Sequence, residues 1–418
     1  MNLKNKWFTL LLWLKKPSNT LWLTPVGGAL FATLFVFLAA STHDFLPDKF
    51  IVSVSAETLD ALLSIIASSM LAVSTFSLSI MVSAFASASN NATPRATELV
   101  MGDDNTRVAI ASFISAFVYA VIAKVALGVG YYQASGRFIL FLGTLCVLVY
   151  LIYILIRWVK TLSQLGRLNN TLSKIEQATA KTLIAYRTSP FMGAGAIEKA
   201  RFEYAIRATS SGYLTHINMP QLQETALAQA CYLEIVVRPG DLIYSGMTLA
   251  YSDKAPASSD SIDCAFVLED SRSYAQDPKF GMVVLSEVAQ RALSPAVNDP
   301  GTAIKVLTIL MRLLLDAKAD KNASQQIKYD RLSIVNLNER DLVDHAFAPI
   351  ARDGAAALEI QIHLQKILHI ISKQAPEAAI KQAACRQAES GLQYAEQGLV
   401  LEQARTQLQK LHRRLFER

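Results

Sequence analysis

The chain has 418 residues, of which 52% are hydrophobic and 18% charged, an apolar share that is high for a soluble protein and points to a membrane region. Its formal charge of +6 falls as +4 on residues 1–160 and +2 on the remainder, so neither part has the basic excess of a nucleic-acid binder. Cys146, Cys231, Cys264 and Cys385 have no regular spacing, which argues against a disulfide framework or a zinc site.

At the N-terminus Trp7–Leu14 lies between lysines and is too short to span, so it reads as an interfacial helix or an extension of the first span. Four apolar spans follow: Leu21–Thr42, Ala61–Ala84, Val108–Tyr131 and Phe138–Ile156. No convincing cleavage site follows the first of them. Lys4, Lys6, Lys15 and Lys16 precede the first span, and Arg157, Lys160, Arg167 and Lys174 follow the fourth. The excess of cations at these flanks places both termini in the cytoplasm of a bacterial inner membrane.

Between Asp60 and Arg95 the chain runs 34 residues without a charge, yet it is rich in hydroxyls. Ser64, Ser68, Thr75, Ser79 and Ser83 recur at mostly helical steps, giving a stripe that either lines a pore or packs against another helix. A helix of that length exceeds the ~30 Å bilayer core and projects into the cytoplasm. Lys124 is the charge set well inside a span; it either snorkels to the outer interface or belongs to a substrate path.

Residues 158–190 read as a helix continuing from the fourth span and broken by Pro190, Gly193 and Gly195. Short apolar runs between Gly and Pro turns then predict a β-rich stretch over 201–251. Its Gly-Tyr-Leu, Pro-Gly-Asp and Gly-Met-Thr-Leu segments resemble the biotinyl/lipoyl barrel-sandwich hybrid, although no Lys lies between Lys199 and Lys254 to carry a cofactor. Residues 262–268 read as a strand, about 280–292 as a helix, and Asp299-Pro300 as the start of a helix reaching about Ala317. The tail, about 341–416, is helical with a break near Pro376. Its amphipathic stretch from Ile380 through Leu392, Leu399, Leu408, Leu411 and Leu415 either packs within the domain or self-associates. The expected fold is therefore a four-helix α-helical membrane domain (1–160, with the interfacial helix) joined by a helical linker (161–200) to an α+β cytoplasmic part. That part comprises a small β-barrel-like module (201–270) and a mainly helical region (271–418).

The string Leu293-Ser294-Pro295-Ala296-Val297-Asn298-Asp299-Pro300-Gly301-Thr302-Ala303, with Asp277 upstream, resembles a bacterial membrane-protein family known as domain of unknown function 2254. Phe76-Ser77, Pro94-Arg95, Phe117-Val118-Tyr119 and Pro-Gly-Asp at 239–241 also fit, while Arg107 and Val108-Ala109 depart from the pattern expected before the third span. The resemblance implies architecture over most of the chain and leaves the chemistry open.

The densest polar cluster is Glu269, Asp270, Arg272, Asp277, Arg291, Asn298 and Asp299, with Thr302 beside it. It could be a structural network, a ligand or anion site, or an enzyme site whose carboxylates bind a metal or act as acid and base. His-Glu-x-x-His, Gly-x-Ser-x-Gly and Walker strings are absent, so no catalytic residues, metal or cofactor are assigned. Two functions remain open. One is a homo-oligomeric channel or transport-like protein with a cytoplasmic vestibule, conducting an ion or small ligand. The other is a membrane-anchored binding or sensing module without a pore. The expected partners are membrane lipid and further copies of the chain.

Overall fold

A computed structural model describes residues 26–31, 33–38, 54–97, 99, 104–132, 134–162, 164–197, 202–255, 260–319 and 326–417. They divide into two compact units, with the boundary in sequence between Thr171 and Leu172. Each unit is built around its own core.

In the first unit, α1 (Val26–Leu38) is a short apolar helix. Helix α2 (Ala56–Asn91) begins where Ser55 accepts a hydrogen bond from the Thr58 N–H at 3.1 Å, and runs for 36 residues. It stops ahead of Pro94, where a 3₁₀ turn (Pro94–Ala96) is capped by Thr93. Helices α3 (Asp104–Gly128) and α4 (Ala134–Leu162) complete the unit. Leu59, Leu63, Phe113, Ala120, Leu140 and Trp158 form its centre.

Among the described residues three helices are long and apolar enough to cross a membrane: Ala56–Asn91, Asn105–Gly128 and Ser135–Leu162. The expected first span, Leu21–Thr42, is represented by α1, which covers roughly 20 Å, short of the ~30 Å core. The rest of that span and the expected interfacial helix lie outside the described residues.

The fourth span does not continue into a linker helix. Helix α4 ends at Leu162, and Gly166, at φ +74°, turns the chain before α5 (Leu168–Thr188) begins. The Gly166 carbonyl accepts a hydrogen bond from Ser87 Oγ at 3.0 Å, so α2 fastens the break.

The second unit is α+β. After β1 (Gly195–Ala196) come β2 (Tyr204–Arg207), β3 (Gly212–Ile217), α6 (Met219–Ala228), β4 (Leu233–Ile235), β5 (Leu242–Ile243), β6 (Thr248–Ser252), α7 (Asp260–Asp263) and β7 (Phe266–Glu269). Helices α8 (Phe280–Leu293) and α9 (Pro300–Asp316) precede β8 (Leu332–Ile334), and α10 (Asp341–Asp353), α11 (Leu358–Gln374), α12 (Ala378–Gly398) and α13 (Glu402–Phe416) close the chain.

Among the described residues the strands form no barrel. They make a five-stranded open sheet in the order β1-β8-β4-β6-β2 and a three-stranded one in the order β5-β3-β7. Strand β4 pairs antiparallel with β6 and parallel with β8, Leu233 facing Leu332 and Ile235 facing Ile334. The larger sheet thus recruits β1 and β8 from outside the β-rich stretch, and that long-range pairing replaces barrel closure. The expected strand at 262–268 is also corrected: its first residues form α7, and only Phe266–Glu269 is extended.

The amphipathic tail is two helices broken at Leu399–Leu401. Leu408 and His412 of α13 are buried in their own chain. His412 Nδ1 lies 2.8 Å from Gln365 Oε1, and Gln365 Nε2 donates to the Ala388 carbonyl at 2.8 Å, so α11, α12 and α13 share one polar relay. That face of the tail is therefore occupied by internal packing.

Candidate functional sites in the two units

The polar residues expected to cluster around Asp277 and Asp299 fall into two separate groups. Helix α8 stands between them and is roughly 20 Å long. Arg272 and Asp277 precede it; Arg291 lies exposed in its last turn; Asn298, Asp299 and Thr302 follow it.

Asp277 is 2% exposed. Its Oδ2 accepts from Arg272 Nε at 2.8 Å and from Arg272 Nη2 at 2.5 Å, while Oδ1 accepts the Lys279 N–H at 3.0 Å. Burial pushes the Asp277 carboxyl above its usual range, against the opposing pull of Arg272 and of the Lys279 N–H. Arg272 also lies over the Phe280 ring, 5.3 Å from its centroid. The turn Pro239-Gly240-Asp241 closes on the same carboxylate. Gly240 sits at φ +100° with its backbone against Asp277, and Asp241 Oδ2 accepts the Arg238 N–H at 2.8 Å. With both oxygens engaged and glycine backbone packed on it, Asp277 locks the β-rich part to the start of α8.

Sequence reasoning missed the cations that extend this lock. Arg238 is 6% exposed and donates from Nε to the Val335 carbonyl and from Nη2 to the Pro190 carbonyl, each at 2.7 Å. Burial lowers its pKa. Its guanidinium carbon lies 5.9 Å from the centroid of Tyr186, whose hydroxyl donates to Glu339 at 3.0 Å. Burial, followed by the Glu339 charge, raises the Tyr186 pKa. Lys279 pairs with Asp341 at 3.2 Å. Isolated arginines and lysines in sequence carry no signal of such pairing.

At the far end of α8, Asn298 adopts φ +46°, and Asp299 caps α9. Asp299 Oδ1 accepts the Thr302 N–H at 3.0 Å and Oδ2 accepts the Thr302 hydroxyl at 2.6 Å. The Thr302 hydroxyl, then its N–H, hold the Asp299 carboxyl below the usual carboxylate range. Asp299→Ala is expected to lower stability by about 1 kcal/mol. For a carboxyl lowered on folding, this contribution is complete above the unfolded pKa, near 3.9, and fades as pH falls through the lowered folded value. Thermal unfolding of both proteins at pH 7 and in acid checks it; an unchanged gap at low pH would count against the cap.

In the membrane unit, α2 packs through Leu59, Leu63, Ile66, Met70, Ser77 and Met81. The predicted hydroxyl stripe lies on the opposite side of the helix. Ser68, Thr75, Ser79 and Ser83 are exposed in the single chain, and Ser64 is half-buried. Ser64, Ser68 and Ser79 donate to the carbonyls of Asp60, Ser64 and Thr75, at 2.7, 2.9 and 3.0 Å, and Thr75 donates to Ala72 at 2.9 Å.

Lys124 Nζ donates to Ser64 Oγ at 2.6 Å and lies 3.2 Å from Asp60 Oδ2. It ties α3 to α2. Removing one charge of this pair in Lys124→Met or Asp60→Asn is expected to weaken helix association by about 1 kcal/mol. The double variant should cost less than the sum, as read by a double-mutant cycle of thermal unfolding in detergent. Additive losses would mean that the pair contributes nothing.

Two cavities lie along α3 and α4. The smaller, about 120 Å³, is lined by Asn105, Val108, Ala109, Ile154, Arg157 and Trp158. Arg157 Nη2 donates to Asn105 Oδ1 at 2.5 Å. The larger, about 640 Å³, is bounded by α1, α3 and α4, including Phe35, Val108, Ser112, Tyr119, Gly143 and Tyr150. Ser112 and Tyr150 hydroxyls lie 2.9 Å apart, and those of Tyr119 and Thr144 2.8 Å apart.

Residues 18–369 match the model of a family described as predicted membrane protein, DUF2254. The chain belongs to the DUF2254 family. Uncharacterized proteins of Mycobacterium bovis and Mycobacterium tuberculosis are each 33% identical to it over 108 residues, 24% of this chain and 21% of theirs. The chain thus aligns with about a fifth of the length of these curated relatives. No solved structure matches it.

Within this DUF2254 protein the family-like strings have distinct structural roles. Ser294-Pro295…Asn298-Asp299-Pro300 is the turn and cap between α8 and α9, where Asn298 N–H donates to the Ser294 carbonyl at 2.9 Å and Asp299 N–H to that of Ala292 at 2.8 Å. Asp277 and Pro239-Gly240-Asp241, far apart in sequence, meet in one lock. Phe76 is exposed and Ser77 buried, its hydroxyl without a hydrogen-bond partner among the described residues.

Proposed function

We propose that the protein is a homo-oligomeric protein of the bacterial inner membrane whose residue 172–417 unit is a rigid binding platform on the cytoplasmic side. The unpacked face of α2 carries this reading. It presents Ser68, Thr75, Ser79 and Ser83 beside Ile65, Leu71 and Phe76, opposite the stripe that packs inside the chain. Lipid gains nothing from such hydroxyls, whereas small and hydroxyl residues let two helices approach closely. The cation-rich flanks around residues 4–16 and 157–174 support cytoplasmic termini.

A platform that binds a partner would do so away from Asp277 and from Asn298–Thr302, because the carboxylates there are taken up internally. A channel is the second reading. It is favoured by the outward direction of the hydroxyl stripe and disfavoured by the pairing of Lys124 with Asp60.

Mass determination in mild detergent tests the assembly: a multimer that Ser68→Leu with Ser79→Leu converts to monomer is expected, and a monomeric wild type would sink the reading. Planar bilayers separate the alternatives. Conductance altered by Thr75→Lys supports a channel; a silent multimer supports the platform.

A further inference from the structure

We propose that the membrane unit holds one phospholipid-like amphiphile, with its phosphodiester at Asn105, Arg157 and Trp158 and an acyl chain in the adjoining apolar cavity. The site begins with an unmet donor. Trp158 is 2% exposed and lines the smaller cavity, and its indole N–H has no hydrogen-bond partner among the described residues. A buried donor left so costs roughly 1–3 kcal/mol, which a ligand acceptor would remove. Arg157 supplies a positive charge to the same wall, and the Asn105 amide, whose Oδ1 accepts from Arg157, carries donors of its own at Nδ2. The polar groups are therefore donors for an anion.

The apolar cavity continues from this pocket. Val108 lines both cavities. On α3 the lining residues Asn105, Val108, Ser112, Ala116 and Tyr119 follow steps of three and four, and on α4 Trp158, Ile154, Tyr150, Val147 and Gly143 do the same. One groove thus runs along two helices from a polar end to an apolar end, over roughly 20 Å. Its larger part, about 640 Å³, falls in the range of roughly 300–1,000 Å³ that ligand sites occupy. The polar end lies where α3 starts and where Arg157 and Lys160 close α4, the depth at which headgroups meet an apolar span. Asp103 and Asp104 immediately precede Asn105 in sequence, which disfavours a doubly charged free phosphate and favours a singly charged phosphodiester.

The full chain is purified in mild detergent and its bound phosphorus and intact lipid measured by phosphate assay and native mass spectrometry. About one phospholipid per chain is expected. Re-binding of a short-chain phosphatidylglycerol should weaken by about tenfold or more in Trp158→Phe and in Arg157→Gln, and again in Ser112→Trp, which fills the apolar part. Inorganic phosphate at millimolar concentration should not displace the lipid. Circular dichroism and gel filtration matched to wild type show that each variant is folded; one that is not is replaced by the milder Asn105→Ala or Ala111→Leu. Lipid that is absent, lipid retained equally by all folded variants, or binding satisfied by inorganic phosphate alone would each overturn the proposal.

Discussion

Replacing Arg187 by alanine is expected to destabilise the 172–417 unit by about 3–5 kcal/mol, the range for breaking a buried ion pair on one side. Arg187 and Glu377 are 5% and 16% exposed at the side chain, and the guanidinium meets the carboxylate through two bonds, of 2.7 and 2.9 Å. It also donates to the carbonyls of Ala317 and Leu314 at 2.6 and 2.8 Å. Those carbonyls belong to the end of α9, where no further turn of helix satisfies them. One side chain on α5 therefore closes α9 and holds the residue that precedes α12. The loss leaves Glu377 charged and two carbonyls short of a donor, which is why Arg187→Lys, with one compact ammonium, should recover less than half. A double change of Arg187 and Glu377 to leucine should cost less than Arg187→Ala but stay destabilising, since the carbonyls remain unmet. Thermal unfolding of the full chain in detergent reads these differences. A loss under about 1 kcal/mol for Arg187→Ala would show that water replaces the clamp.

This clamp was not legible in the sequence, and the reason is general to the molecule. What could be read locally was read: Asp299 before Pro300 signals a cap because the side-chain acceptor and the proline act within one turn. The apolar runs that became α2, α3 and α4 were visible as composition. What depends on distant partners was not. Strand β8 is only three residues long and is extended because it lies parallel between β1 and β4, both more than about ninety residues earlier. Without β8 and β1 the β-rich stretch looked like a closed barrel. The Asp277 group and the Asp299 group appeared as one cluster because they are neighbours in sequence, and a rigid helix in between separates them. In sequence Arg157 reads only as the flank of a span and Trp158 carries no signal, since a residue's role in a cavity depends on what α3 brings beside it.

The membrane unit follows the same logic with a different solvent. A hydroxyl stripe is visible in sequence, but its direction is set by which face of α2 packs on α3 and α4. Because the packed face is Leu59, Leu63, Ile66, Met70 and their helical successors, the hydroxyls point away from the chain's own core. Interior and exterior positions are thus assigned by packing, and the remaining question for α2 concerns its partner.

Gly240→Ala is the sharpest test of the lock around Asp277. At φ +100° an L residue is strained by roughly 1–3 kcal/mol. A methyl group at Gly240 would also overlap the Asp277 carboxylate, which Arg272 and the Lys279 N–H hold in place. Overpacking of this kind costs about 1–3 kcal/mol more. The sum, about 2–6 kcal/mol, corresponds to a midpoint lowered by roughly 5–20 °C in a unit of this size. Gly246→Ala is the matched control. Gly246 has φ +88°, and a Cβ there meets nothing within 4 Å, so only the backbone strain remains. The two alanine variants should therefore differ by the overlap alone. In an Asp277→Ala background the overlap is gone, and the Gly240→Ala penalty should shrink to that of Gly246→Ala, giving a coupling of about 1–3 kcal/mol in the cycle. Equal penalties for Gly240→Ala and Gly246→Ala in the native background would mean that the turn moves away from Asp277 at little cost. The turn would then be an ordinary one, and Asp277 would be held by Arg272 without it.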